Sequence, residues 1–435
     1  FPESLEELDL GDSYNFTLEK YDLPKNLKVL RLGKDYNKSF LSDSLPSGLK
    51  SLYLGFEYNQ NISLNCLPNS LTHLETGYSF NKSINNLPNS LETLVLKCYF
   101  NQPISKLPTN LKCLKFGESF DNRIGPNILP HGLTRLEFGN EFNTEIPPKC
   151  LPMNLKYLKF GRSFNKQLKE PLPTSLTELI FGFNYNQPIN KNVLNHGLKN
   201  LVFDYSFDQV LLPKILPLTL ELLKFGELFN RDLVEEEILP NNLKILLFGD
   251  NFNKNINHLP KSLQVVKFGY RFNNNSIENL TFFSNDFNRQ IPPDHYPDNL
   301  KHFSCDQLFD LKEIPKSIHY LKFGNGFKKQ LKPGQFVNFP NLKYIKLGDH
   351  YNTVIEPGTI PDNIIHLKFG SFYNKSILEN SLPTSLTCLD LGHEFSQTFY
   401  PGQLDSAVNL SILYFSTKYL KEILPNSLPS SIHTI

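Results

Sequence analysis

The phrase Leu-x-x-Leu-x-Leu/Phe returns along the whole chain every 20 to 24 residues, and that period constrains the fold more than any other feature. One copy runs Pro88-Asn-Ser-Leu91-Glu-Thr-Leu94-Val-Leu96, another Pro108-Thr-Asn-Leu111-Lys-Cys-Leu114-Lys-Phe116-Gly117-Glu-Ser-Phe120-Asp121. Apolar residues at i and i+2 share one face of a short strand. A single strand of that kind cannot bury its face, whereas parallel strands stacked coil on coil line up a continuous core. Counting the first Leu from Leu5 to Ile432 gives about twenty coils and a final half copy. Length alone, 435 residues, suggests about two or three domains. The period replaces them with one repeat domain over 1–435.

The rest of each copy has a physical reading. Gly follows the strand in most copies (Gly11, Gly33, Gly55, Gly117, Gly139), where a sharp turn is expected to use its left-handed freedom. An aromatic residue three places on (Tyr36, Tyr58, Phe80, Phe100, Phe120) is expected to form a stacked spine, which accounts for the 36 phenylalanines. Ile62, Ile84, Ile104, Ile124 and Ile146 close the convex side. Leu-Pro then blocks helix and is expected to set an extended entry to the next strand. The Asn after the aromatic (Asn15, Asn37, Asn59, Asn81, Asn101, Asn143, Asn165) reads as a carboxamide ladder pairing the backbone of buried turns, with Asp121 and Asp208 keeping only the acceptor half.

Phe100-Asn101-Gln102-Pro103-Ile104 and Tyr185-Asn186-Gln187-Pro188-Ile189 resemble the motif of the FNIP repeats, and the resemblance covers essentially the whole chain. FNIP repeats are known from social amoebae and from giant viruses of amoebae, often behind an N-terminal F-box. The resemblance implies a substrate-receptor role in an F-box ubiquitin ligase adaptor that recruits the Skp1–cullin machinery. The chain opens inside a repeat, so an F-box, where there is one, precedes Phe1.

The expected fold is a leucine-rich-repeat-like right-handed solenoid, with a parallel β-sheet on the concave face and turns or 3₁₀ segments on the convex side. Coils of 20–22 residues leave little room for a convex helix. First-Leu spacings are regular over 1–272, then run 14, 23, 18 and 24 from Leu263 through Ile277, Leu300 and Ile318 to Leu342. Irregular coils are therefore expected over 273–317, as a kink or as decayed copies, with regular coils resuming over 318–435. Neither end carries an evident polar cap.

Residues flanking the second Leu of each phrase should face out of the sheet on its concave side. There the middle coils place Ile180, Val202, Leu222, Ile245, Leu247 and Val265, an apolar row of the kind that marks interaction sites. Branched side chains also suit strands for their own sake. Later coils repeat a ring beside a lysine: Tyr320 and Lys322, Tyr344 and Lys346, His366 and Lys368. That ladder suits an acidic partner segment, or phosphates backed by stacking. Lys115, Lys159, Lys224 and Lys267 stand at the same position, so solubility explains part of it.

Chemistry is not indicated. No nucleotide loop, zinc signature or nucleophile elbow occurs, so neither catalytic residues, a metal site nor a cofactor is expected. His302 and Cys305 should point to opposite faces, Cys305 in a core Phe position. A net charge of +1 argues against nucleic acid as the main ligand, and no apolar run is long enough to span a membrane. Six cysteines without a Cys-x-x-Cys pattern fit free thiols in a reducing cytoplasm, the host's if the chain is viral. Asn-x-Ser triplets such as those at Asn37, Asn81 and Asn374 are rungs of the Asn ladder, expected to be too buried for glycosylation. The function expected is non-catalytic binding of a host or cellular protein on the concave face. The alternative is a structural array that self-assembles through its ends or edges.

Overall fold

The computed structural model describes residues 1–254, 256, 258–269, 300–305, 311, 314–416 and 418–434. They form two compact units, Phe1–Leu220 and Glu221–Ile435. In the first, ten three-residue strands, from β1 (Glu7–Asp9) to β10 (Asn200–Val202), pair in parallel, each with the next copy of the repeat. In the second, nine strands among the described residues, from β11 (Leu222–Lys224) to β19 (Ile412–Tyr414), do the same. Register is constant: Leu52 faces Leu74, Leu74 faces Leu94, and so on. The central residue of nearly every strand is buried and its two neighbours are partly open. Each unit is a parallel β-solenoid of leucine-rich-repeat type.

Two tight turns frame each strand. Before it, the proline carbonyl accepts the amide of the Leu three residues on, as in Leu27 to Pro24 (3.1 Å) and Leu49 to Pro46 (3.0 Å). The Leu-Pro step therefore heads a turn; it is not the extended entry expected from the sequence. After the strand, the glycine carbonyl accepts the amide of the spine aromatic, as in Tyr58 to Gly55 (3.1 Å). On the convex side a third turn holds a residue at positive φ, among them Asp43 (61°), Asn65 (62°), Lys149 (58°) and Lys214 (65°). No α-helix occurs among the described residues.

The spine is present. Successive rings stack nearly parallel, Tyr36 on Tyr58 at 6.2 Å, Phe120 on Phe142 at 6.1 Å and Phe164 on Tyr185 at 6.0 Å. Phe138 and Phe160, at the strand ends and closer to the sheet, are 5.6 Å apart. Neighbouring strands lie closer still, about 4.8 Å apart. Each coil is thus a wedge with its thin edge at the sheet, which puts the sheet on the inner side of the bend.

Glycine after the strand has a different reason from the one expected. Only Gly11 and Gly392 of that column have positive φ. Elsewhere the preceding coil demands the missing side chain: a Cβ on Gly55 would lie 1.9 Å from the Gly33 carbonyl oxygen, and one on Gly161 would lie 1.8 Å from that of Gly139. The glycines stack Cα on carbonyl, so backbone crowding between coils selects them.

The Asn ladder uses one half of the carboxamide on the backbone. The Asn37 amide donates to Asn15 Oδ1 (3.0 Å), Asn59 to Asn37 (3.0 Å), and Asn186 to Asn165 (3.0 Å). Asp121 therefore keeps the rung intact, accepting the Asn143 amide at 2.7 Å. The ladder lies at the surface instead of in a buried turn: Asn15 is exposed and Asn37, Asn81 and Asn374 are half-buried. Burial therefore gives no bar to glycosylation at these positions.

The irregular zone expected over 273–317 lies largely outside the described residues, which there comprise 300–305, 311 and 314–317. One consequence is visible at its edges. Strand β13 (Val265–Lys267) pairs directly with β14 (His302–Cys305), Val265 opposite His302. The expected copy beginning at Ile277 lies outside the described residues. The side chain of Cys305 lies outside the described residues.

Candidate concave interaction face

The outward positions are the first and third residues of each strand, because the second belongs to the core. Ile180 ends β9 (Glu178–Ile180) and lies opposite Val202 of β10 in the first unit. In the second unit Leu222, Ile245 and Val265 form one row in register, on β11, β12 (Ile245–Leu247) and β13. Leu247 stands between Lys224 and Lys267. All six apolar residues are half-buried.

The rings and lysines meet on β15 (Tyr320–Phe323), β16 (Tyr344–Lys346) and β17 (His366–Lys368), with Tyr320 opposite Tyr344 opposite His366. Lys322 and Lys368 likewise stand in register on either side of Lys346. His302 of β14, considered from the sequence only beside Cys305, extends the ring row, its ring 5.3 Å from that of Tyr320. Tyr320 and Tyr344 stack at 4.4 Å and 17°. Burial pushes both phenols above their ordinary range. It also pulls Lys346 below the usual lysine range, helped by the positive charges of Lys322 and Lys368 on either side. Lys368 pairs with Asp390 on β18 (Cys388–Asp390).

The first unit carries a second cluster that sequence reasoning passed over. Arg135 lies 3.6 Å above the Tyr157 ring and 2.6 Å from Glu137, which also meets Lys115 at 3.2 Å. Arg31 lies 4.1 Å from the Tyr53 ring, and the His73 ring is 5.1 Å from that of Tyr53. Burial holds His73 below its ordinary pKa. These residues occupy the same outward positions, so the signal was their slot in the repeat. Arg and Tyr side by side in such slots are typical anchors of protein interfaces.

Other chemistry is easily described. Among the described residues no group of His, Cys, Asp and Glu could hold a metal ion. Cys66, Cys98, Cys113, Cys150 and Cys388 are free thiols, and burial raises Cys150 to about 11. No helix among the described residues is long and apolar enough to cross a membrane.

The chain's similarities follow from this geometry. Among solved structures, CroV588, a circular leucine-rich-repeat protein of a giant virus, is 35% identical with a TM-score of 0.75, over 100% of this chain and 69% of that one. YopM of Yersinia enterocolitica WA-314 is 19% identical with a TM-score of 0.51, over 99% of this chain and 90% of its own. A chain of the mouse RP105/MD-1 complex is 15% identical with a TM-score of 0.54, over 97% of this chain and 72% of its own. The last two share the fold. No curated protein sequence matches the chain. The FNIP Repeat profile matches residues 14–57, 58–99, 100–141, 142–184, 185–228, 229–274 and 340–372. With aromatic-Asn spine positions in successive coils and most of its length matched, the chain belongs to the FNIP repeat family.

Proposed function

We propose that this chain is a non-catalytic receptor that binds a host or cellular protein along its concave faces. The observation that carries the reading is a division of labour within each coil. The core Leu, spine ring, Gly and Asn positions recur, while the outward strand positions change from coil to coil: Cys113 and Lys115, Arg135 and Glu137, Tyr157 and Lys159. A scaffold that repeats its frame and varies one face supports recognition. Leucine-rich-repeat folds and this repeat family are typically non-enzymatic scaffolds.

The pathway rests on the family's frequent pairing with an F-box. On that basis the captured protein is delivered to a Skp1–cullin ubiquitin ligase. Free thiols support a reducing cytoplasm as the working compartment. The test is quantitative affinity capture with the wild-type chain, an Ile245→Asp/Leu247→Asp variant and a control on an exposed turn outside the sheet, Met153→Asp. The reading expects partners that are lost with the concave variant and kept with the control, and their accumulation when Skp1 is depleted. Partner sets identical across all three proteins would overturn it.

A further inference from the structure

Like charges directly opposite one another on adjacent strands destabilise a sheet. Lys322, Lys346 and Lys368 stand in that relation on three successive strands. The first unit shows how a lysine in this position is neutralised: Lys115 meets Glu137 in register on the next strand at 3.2 Å. In the second unit only the end of the row is treated so, Lys368 by Asp390. Lys322 and Lys346 make no ion pair among the described residues. Asp349 and Asp390 both act on Lys346 through space, but Asp390 pairs with Lys368 and Asp349 turns Oδ1 to the Ser371 amide (3.1 Å) and hydroxyl (2.9 Å).

We propose that Lys322 and Lys346, with the edges of Tyr320 and Tyr344 beside them, bind an acidic peptide segment of a partner protein, its carboxylates taking the place that Asp390 takes for Lys368. This rests on the concave face being a receptor and names the chemistry of what it receives. The stacking geometry selects peptide over nucleic acid. Bases bind by stacking on open ring faces, but the two faces of Tyr320 are taken up by His302 on one neighbouring strand and Tyr344 on the other. The Tyr320 hydroxyl is engaged by Tyr344, so what the pair offers is ring edges and the Tyr344 hydroxyl proton, which suit carboxylate oxygens. An extended acidic segment laid across the strands meets a lysine about every 4.8 Å, and charge-assisted hydrogen bonds to partly buried ammonium groups are the strong kind.

The experiment titrates fluorescein-labelled octaglutamate and octathymidylate against the whole chain at low salt and at about 0.2 M salt. Octaglutamate is expected to bind, to weaken with salt, and to weaken about tenfold or more in Lys322→Gln/Lys346→Gln. Lys112→Gln/Lys244→Gln removes the same charge elsewhere and is expected to leave affinity unchanged. Equal affinity in the two double variants, no octaglutamate binding, or tighter octathymidylate binding overturns the proposal. The receptor reading is judged separately, by whether Ile245→Asp/Leu247→Asp releases captured partners. Thermal melts confirm folding of every variant.

Discussion

The carbonyl oxygen of Gly117 lies 1.6 Å from the point where a Cβ on Gly139 would begin. No rotamer relieves that contact, because both partners are backbone. Gly139→Ala must push two coils apart, and the spine ring Phe142, whose amide donates to the Gly139 carbonyl, moves with them. The expected loss is at least ~2 kcal/mol by chemical denaturation. Gly125→Ala, whose Cβ would meet only Ile128 at 3.6 Å, is expected to change stability little.

Asn165 accepts from the Asn186 amide at 3.0 Å and from Gln187 Nε2 at 3.1 Å. Asn165→Ala strands a half-buried amide and should cost about 1 kcal/mol. Asn165→Asp keeps the acceptor, as Asp121 does two coils earlier, and should melt within a degree or two of wild type. Equal melts for the Ala and Asp variants would remove the ladder from the account.

Among the spine residues, the hydroxyls of Tyr36, Tyr58, Tyr185 and Tyr373 are buried without a hydrogen-bond partner. A desolvated hydroxyl without a partner is a penalty, so Tyr58→Phe should be neutral or raise the melting temperature. The same burial lifts these phenols well above their usual pKa of 10.0. Above about pH 10 the unfolded chain sheds those protons while the folded chain keeps them, so the unfolded state binds fewer and stability falls as pH rises. Alkaline unfolding monitored by circular dichroism should therefore begin near pH 10, at higher pH in Tyr36→Phe/Tyr58→Phe.

Much of this was legible in advance. The outward residues read from spacing, such as Ile180 or Tyr344 and Lys346, are terminal residues of β9 and β16. Period alone places them, since each coil must return its core Leu to the same depth. What escaped the sequence depends on distances between coils. The glycine column looked like a demand on φ and is a demand on space at the Gly117–Gly139 contact. The Asn ladder looked buried, but its carboxamides lie at the surface and use only their oxygen on the backbone. The Arg135–Tyr157 contact joins two residues 22 positions apart in outward slots and becomes visible once the strand register is known.

Relief of like-charge crowding gives the basic row a signature of its own. Lys346→Gln removes the central charge between Lys322 and Lys368 and should raise stability by about 0.5 kcal/mol. Gain in melting temperature together with loss of octaglutamate binding marks a residue kept for recognition. A loss of stability instead would make Lys346 structural.

The central claim, that the concave face is the receptor, is tested most directly by site-specific photocrosslinking. A benzoylphenylalanine replaces Tyr157 or Tyr344 on the sheet, or Met153 or Val337 on exposed turns, in cells expressing the chain. The account predicts adducts to one discrete partner from the two sheet positions and none from the turn positions. Adducts of the same partner from the turn positions alone would contradict it.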